Sequence, residues 1–192
     1  MLNRVLFYGL AAILLAAVTF FVTRSMVIQQ APVKVMSTIE ARIVAGSGSW
    51  NACFHNQVYG PRTNAARRAN PDSIISSMAY DLSDGPVRVA GETWPRYWSL
   101  SFYQQNSDNF FVVNDLELAD PSFDFVLALE GQDTDDLGGT PIISPTAKGI
   151  MLVRRFAADA SDMPGIIANQ EAMSCGPVGC ETTDQHDAFC GR

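Results

Sequence analysis

Hydrophobic positions fall along this chain in three regimes. From 5 to 22 the run VLFYGLAAILLAAVTFFV carries no charge and is bounded by Arg4 and Arg24. As a helix it is roughly 27 Å long at about 1.5 Å per residue, close to the bilayer hydrocarbon thickness of about 30 Å. The run therefore predicts a membrane-spanning anchor over 1–24. A cleaved signal peptide is the rival reading. Signal cores, however, run to about 7–15 residues and end at a small-x-small site, and this run ends in Phe20, Phe21, Val22, Thr23, Arg24. In the second regime, 25–49, Val35, Ile39 and Ile43, with Met36 beside them, recur at helical spacing until GSGS at 46–49 stops the pattern. The expected element is a short amphipathic linker helix, packed on its own domain or offered to a partner.

From about residue 50 the period becomes two. In WPRYWSLSFYQQNSDNFFVVND, 94–115, Trp98, Leu100 and Phe102 fall on one face, and Tyr97, Ser99, Ser101 and Tyr103 on the other. The first face is core, so much of the aromatic content here is structural. QQNSDN has the composition of a hairpin loop or bulge before a second strand at 109–115. Further strands are expected at 86–91, 122–131, 140–144 and 148–157. A late helix begins near ASDMPGIIANQEAM, where Ser161 or Asp162 can cap and Pro164 fits the first turn. The fold class is mainly β: an antiparallel β-sandwich or jelly-roll-like domain over 50–173, with an N-terminal transmembrane helix, a short C-terminal helix, and a Cys-rich tail at 174–192 expected as coil.

Length and charge narrow the classes. With 192 residues there is room for one core and an appendage. A net charge of −7 leaves no basic face for displacing counterions, which argues against a nucleic-acid partner. Arg4 and the free amine on one side of the anchor are balanced by Arg24 and Lys34 on the other, so the positive-inside rule does not orient it. Cysteine usage points outward: Cys53, Cys175, Cys180 and Cys190 are an even set behind a membrane signal, which favours disulfides in an oxidising compartment. Which cysteine joins which is not fixed by the sequence.

The candidate chemistry is sparse. Cys175, Cys180, His186 and Cys190 have the donor types of a zinc site, but the four-residue gap between the first two is at the edge of zinc spacing, and disulfides account for them without metal. Glu130, Asp133, Asp135 and Asp136 lack the ordered ligand spacing of a calcium loop. A Ser-His-Asp arrangement would have to use His55, since His186 is in the tail, and no G-x-S-x-G, P-loop or G-x-G-x-x-G is present. No catalytic residue, metal or cofactor is assigned. Asp72 in ANPDS reads most simply as a turn acceptor.

Two stretches carry a resemblance. RRANPDSIISSMAYDLSDGPVRVAGETWPRYWSLSFYQQNSDNFFVV (67–113) and ISPTAKGIMLVRRFAADASDMPGIIANQEAM (143–173) resemble the family catalogued as domain of unknown function 1254. Its pattern has a P-N-x-D-T-x-Y-S-like segment, a D-L before a strand, an R-Y-Y with aromatic and Asn-rich continuation, and an S-P-T strand ending in Arg before a helix. Asn70, Asp72, Ser76, Asp81, Leu82, Arg96, Tyr97, Asn109 and Phe110 match it in order, followed by Ser144, Pro145, Thr146 and Arg154 or Arg155. Gln104 stands where the family usually has Asp, and Asn106 where it has Tyr, so no role resting on that acid or phenol carries over. The resemblance implies a jelly-roll-like domain and no settled activity. In the family a second β-domain, catalogued as domain of unknown function 1214, typically follows on the same chain. Here the Cys-rich tail follows, so another protein is expected to supply that half.

These readings converge on a single-pass protein of a bacterial inner membrane, its soluble domain in the periplasm, acting as a non-catalytic binding or assembly component. The expected ligand or partner surface is Asn70, Asp72, Arg96, Tyr97, Tyr103 and Asn109. The alternatives are an accessory subunit of a larger integral membrane complex and an envelope enzyme using Asp72, Arg96 and Tyr97 on a small molecule.

Overall fold

The computed structural model describes residues 2–60 and 70–178. A single helix, α1 (Leu2–Ser47), covers both the expected anchor and the expected linker helix. Pro32, which supplies no N–H to the helix ladder, lies inside it. The apolar N-terminal run is long and apolar enough to cross a membrane, and every residue from Leu6 to Ala31 is exposed. Burial begins at Pro32.

Among the described residues nine strands follow: β1 (Cys53–His55), β2 (Ser73–Asp81), β3 (Val87–Glu92), β4 (Trp98–Gln104), β5 (Asn109–Asn114), β6 (Ser122–Leu129), β7 (Thr140–Ser144), β8 (Lys148–Phe156) and β9 (Ser174–Pro177). A 3-10 turn (Ala160–Asp162) and helix α2 (Met163–Glu171) separate the last two. One sheet has the order β1-β2-β8-β4-β5 and the other β7-β6-β3-β9. The five-stranded sheet is antiparallel throughout.

Two expectations are corrected. The strands are not all antiparallel, because β7 runs parallel to β6, Phe125 opposite Thr140 through Leu129 opposite Ser144. The connection that makes this possible, 130–139, ends at Gly139 with φ +74; a Cβ there would lie 3.0 Å from the Asp124 carboxylate. The tail is not coil from its start, since Ser174–Pro177 pairs with β3.

The two sheets share one core. Met78 and Tyr80 of β2, Trp98, Leu100 and Phe102 of β4, and Met151 and Val153 of β8 pack with Val87 and Val89 of β3, Phe123, Phe125 and Leu127 of β6, and Ile142 of β7. Trp98 stacks on Phe123 at 5.8 Å and Phe111 meets Phe125 edge-on at 5.4 Å, so aromatic pairs tie β4 and β5 to β6. The alternation read from 98–102 is the one observed, each of the three side chains being at most 2% exposed. At the hairpin end, the Tyr80 hydroxyl donates to the Tyr103 carbonyl at 3.0 Å and lies 3.2 Å from Ser144 Oγ. Burial pushes its pKa up to about 12.

The last third of α1 lies on the outer face of the five-stranded sheet. Met36, Ile39, Ile43 and Val44 pack with Ala79, Ile150, Leu152, Tyr103 and Trp50. Burying Met36 and Ile43 contributes roughly 1.5–3 kcal/mol each. Val35, expected on this face, is 57% exposed; the buried stripe runs instead through Met36, Glu40 and Ile43, whose spacings of four and three are those of one helix face.

Candidate functional site

Arg154 and Arg155 are neighbours on β8, and successive strand residues point to opposite faces. Arg154 faces outward. Arg155 faces the core, opposite Trp98 on β4 and Ile74 on β2, and is 1% exposed. It donates from Nε to Asn169 Oδ1, from Nη1 to Ser76 Oγ at 2.9 Å, and approaches Met173 Sδ with Nη2 at 3.7 Å. Asn169 is oriented by its own amide, which donates to the Glu92 and Thr93 carbonyls at 3.2 and 3.3 Å. Among the described residues no carboxylate pairs with Arg155. Burial draws its pKa down to about 10, so it stays charged near neutrality.

Ser76 Oγ also lies 2.9 Å from His55 Nδ1, across the β1–β2 ladder. Arginine only donates, so Ser76 accepts from Arg155 and its own hydroxyl hydrogen is free to donate to His55 Nδ1. That polarity needs a neutral imidazole with its proton on Nε2. Burial, and next the Arg155 charge, hold the His55 pKa below its ordinary value, in the same sense. The result is a polar chain, Arg155–Ser76–His55, tied to α2 through Asn169. Its Ser-His pair is not a nucleophilic centre: Ser76 is fully buried and its oxygen already accepts from a guanidinium. Nearby, the Cys53–Cys175 disulfide joins β1 to β9, with Cα atoms 5.4 Å apart, and so links the edges of the two sheets. Cys180, Cys190 and His186 lie outside the described residues.

A second polar group sits under α1. Lys148 Nζ pairs with Asp81 at 2.9 Å and lies 4.6 Å from the Trp50 ring centroid. Glu40, 4% exposed, has a carboxyl oxygen with no hydrogen-bond partner among the described residues. Burial raises its pKa, opposed by Lys148 and reinforced by Asp81.

The structure places the six expected surface residues at the two ends of β4. At one end of β4, Asn70 Oδ1 accepts from the Asp72 amide at 3.0 Å, Ala157 N–H donates to the Asp72 carbonyl at 2.8 Å, and Phe156 N–H donates to the Tyr97 carbonyl at 2.9 Å. Arg96 is ion-paired with Asp162 at 2.9 Å, and Tyr97 is 55% exposed. At the other end, about 20 Å away at about 3.3 Å per residue, the Tyr103 hydroxyl lies 3.4 Å from Arg154 Nη2. Asn109 there holds the bulged hairpin, its amide donating to the Phe102 and Phe111 carbonyls. Asn106 and Asp108 bond each other within the turn. Between the two ends Ser99 and Ser101 are buried, with Arg154 Nη1 3.5 Å from Ser101 Oγ. Beside them Val112 on β5 is 50% exposed. The outer face of this sheet is thus covered by α1 over β2 and β8 and as far as Tyr103 on β4, and beyond that Val112 on the edge strand β5 is exposed.

The family model described as "Protein of unknown function (DUF1254)" matches residues 50–177. No curated protein matches the chain. Among solved structures it is similar to the VPA0106 protein from Vibrio parahaemolyticus, with a TM-score of 0.60 and 11% identity over 76% of this chain and 35% of that one. It is also similar to an uncharacterised protein from Burkholderia cenocepacia, with a TM-score of 0.42 and 15% identity over 82% of this chain and 41% of that one. The chain thus spans about a third to two fifths of the length of these proteins. At such identity the first likeness shows the fold alone.

Proposed function

The chain belongs to the DUF1254 family of proteins of unknown function, and on that premise we propose that it is a membrane-anchored binding or assembly protein that docks another envelope or membrane protein at the β5 edge of the five-stranded sheet, around the exposed Tyr97 and Val112. One observation carries this reading. α1 is built into the domain through Met36, Ile39 and Ile43, so the face it leaves uncovered, with Tyr97 and Val112 exposed, stands beside the membrane helix in a fixed setting. A pair of exposed apolar side chains flanking buried Ser99 and Ser101 and a half-buried Arg154 fits an interface better than a water-facing sheet. The shared core of the two sheets supports the sandwich or jelly-roll reading. The Cys53–Cys175 bridge supports an oxidising compartment, hence the periplasmic side of a bacterial inner membrane. A protein carrying the family's usual second domain is the first candidate partner.

A second reading has its own support. Met26, Val27, Ile28, Val33 and Val35 are exposed on α1 after Arg24, apolar positions distributed around the helix that suit an accessory subunit packed among helices of a larger integral membrane complex. The two readings separate by substitution. Docking on the sheet predicts that Val112→Asp shrinks the particle extracted in mild detergent, measured by native mass analysis, while Val35→Ser leaves it unchanged; the accessory-subunit reading predicts the reverse. If both variants give the size of the unaltered protein, the sheet is not the interface.

A further inference from the structure

From the exposed stretch before Pro32 and the hairpin that meets it, we propose that the β4–β5 turn, residues 104–109, rests against the phospholipid headgroup layer of the membrane that α1 crosses. The inference rests on the anchor reading and goes beyond it by fixing which part of the domain faces the lipid. α1 is exposed from Leu6 to Ala31, and the domain first reaches it where Ser107 Oγ donates to the Pro32 carbonyl at 3.3 Å. Pro32 is eight residues past Arg24, about 12 Å along the helix, and four past Ile28, about 6 Å. The polar layer on each side of the hydrocarbon is about 5–8 Å thick. With the apolar stretch carried to Ile28, Pro32 falls within that layer, and with it ending at Arg24, Pro32 lies a few ångströms outside it; in both cases the turn meets α1 ahead of the rest of the helix-packed surface.

The chemistry of the turn fits neutral, hydrated headgroups. Asn106, Ser107, Asp108 and Asn109 are exposed, and the turn carries no base. Its one acid, Asp108, accepts from Asn106 Nδ2 at 2.8 Å and from Gln104 Nε2 at 3.3 Å. The Asn106 and Gln104 amides each use one N–H on Asp108, which leaves the second for a phosphodiester oxygen without needing anionic lipid, so the placement is expected to be insensitive to salt, unlike that of a polybasic surface.

Depth quenching of the full chain tests this. A small fluorescent amino acid is placed singly at Leu14, Ser107 or Ala160, the last lying beside α2 at the far end of β4. Each variant is reconstituted in zwitterionic phosphatidylcholine vesicles carrying a nitroxide on the headgroup or deep in the acyl chain. The expected result is acyl-chain quenching at 14, and headgroup quenching at 107 several-fold stronger than at 160, unchanged in high salt. Quenching at 14 with equal headgroup quenching at 107 and 160 overturns the placement while leaving the anchor intact. Absence of acyl-chain quenching at 14 overturns the anchor and the placement with it.

Discussion

Asn169→Ala is the most informative single change to the buried network. The side chain accepts a charge-assisted bond from Arg155 and donates to the Glu92 and Thr93 carbonyls. A hydrogen bond to a charged group contributes about 1.5–3 kcal/mol and a neutral one about 0.5–1.5. One amide serves both carbonyls at 3.2 and 3.3 Å, so the expected loss is about 3 kcal/mol. For a domain of this size that lowers Tm by about 10 °C. Arg155→Met behaves differently. It leaves the Asn169 acceptor orphaned, yet it also removes a desolvated charge that no carboxylate offsets, and the two effects partly cancel. Its expected cost is below about 2 kcal/mol. The double variant should cost less than the sum of the singles by at least about 1 kcal/mol, because each single already breaks the shared bond. Thermal unfolding of the full chain in detergent, followed by the fluorescence of Trp94 and Trp98, reads all three. Additivity within about 0.5 kcal/mol, or a loss below that for Asn169→Ala, would refute the network as a tie between α2 and the sheets.

Other outcomes follow from the same geometry. The folded pKa of His55 is depressed below its ordinary 6.5, so below about pH 6.5 the unfolded chain binds more protons; stability is complete above that pH and falls as pH drops toward the folded value. His55→Gln should flatten this part of a Tm-versus-pH curve, and an unchanged slope would assign the acid sensitivity elsewhere. Glu40 has a raised pKa, so its contact with the sheet weakens as pH rises above the ordinary carboxyl range. Glu40→Gln should therefore raise Tm by a few degrees at pH 7, where it removes the cost of ionising a buried carboxyl, and by much less at pH 4, where the carboxyl is already protonated; equal gains at both would contradict this. Non-reducing peptide mapping should recover Cys53 joined to Cys175. Cys53→Ser should cost about 2–5 kcal/mol in chemical denaturation, toward the upper end for a bridge spanning 122 residues.

The parts of the fold legible in the sequence were those where one physical demand sets the pattern. Trp98, Leu100 and Phe102 had to face a core, and the alternation said so. β2 was hidden because SIISSMAYD breaks alternation: Ser76 points into the core to meet Arg155. The buried cation left only a faint trace, since two successive arginines on a strand must face opposite ways and one of them must be accommodated inside. The parallel pairing of β7 depends on how 130–139 routes the chain, which no period encodes. The change in hydrophobic pattern after Arg24 made one helix look like two. Of the expected surface, Arg96, Tyr97 and Asn109 are all exposed, and Arg96 and Asn109 also make an ion pair and hold a bulge.

The docking face is tested most directly in membranes. A photo-reactive amino acid at Val112, at Tyr97 or, as control, at exposed Ile143 on β7 of the other sheet is activated in native membranes. The docking account expects one discrete higher-mass adduct from positions 112 and 97 and none from 143. Adducts of equal yield from all three positions, or from 143 alone, would contradict it.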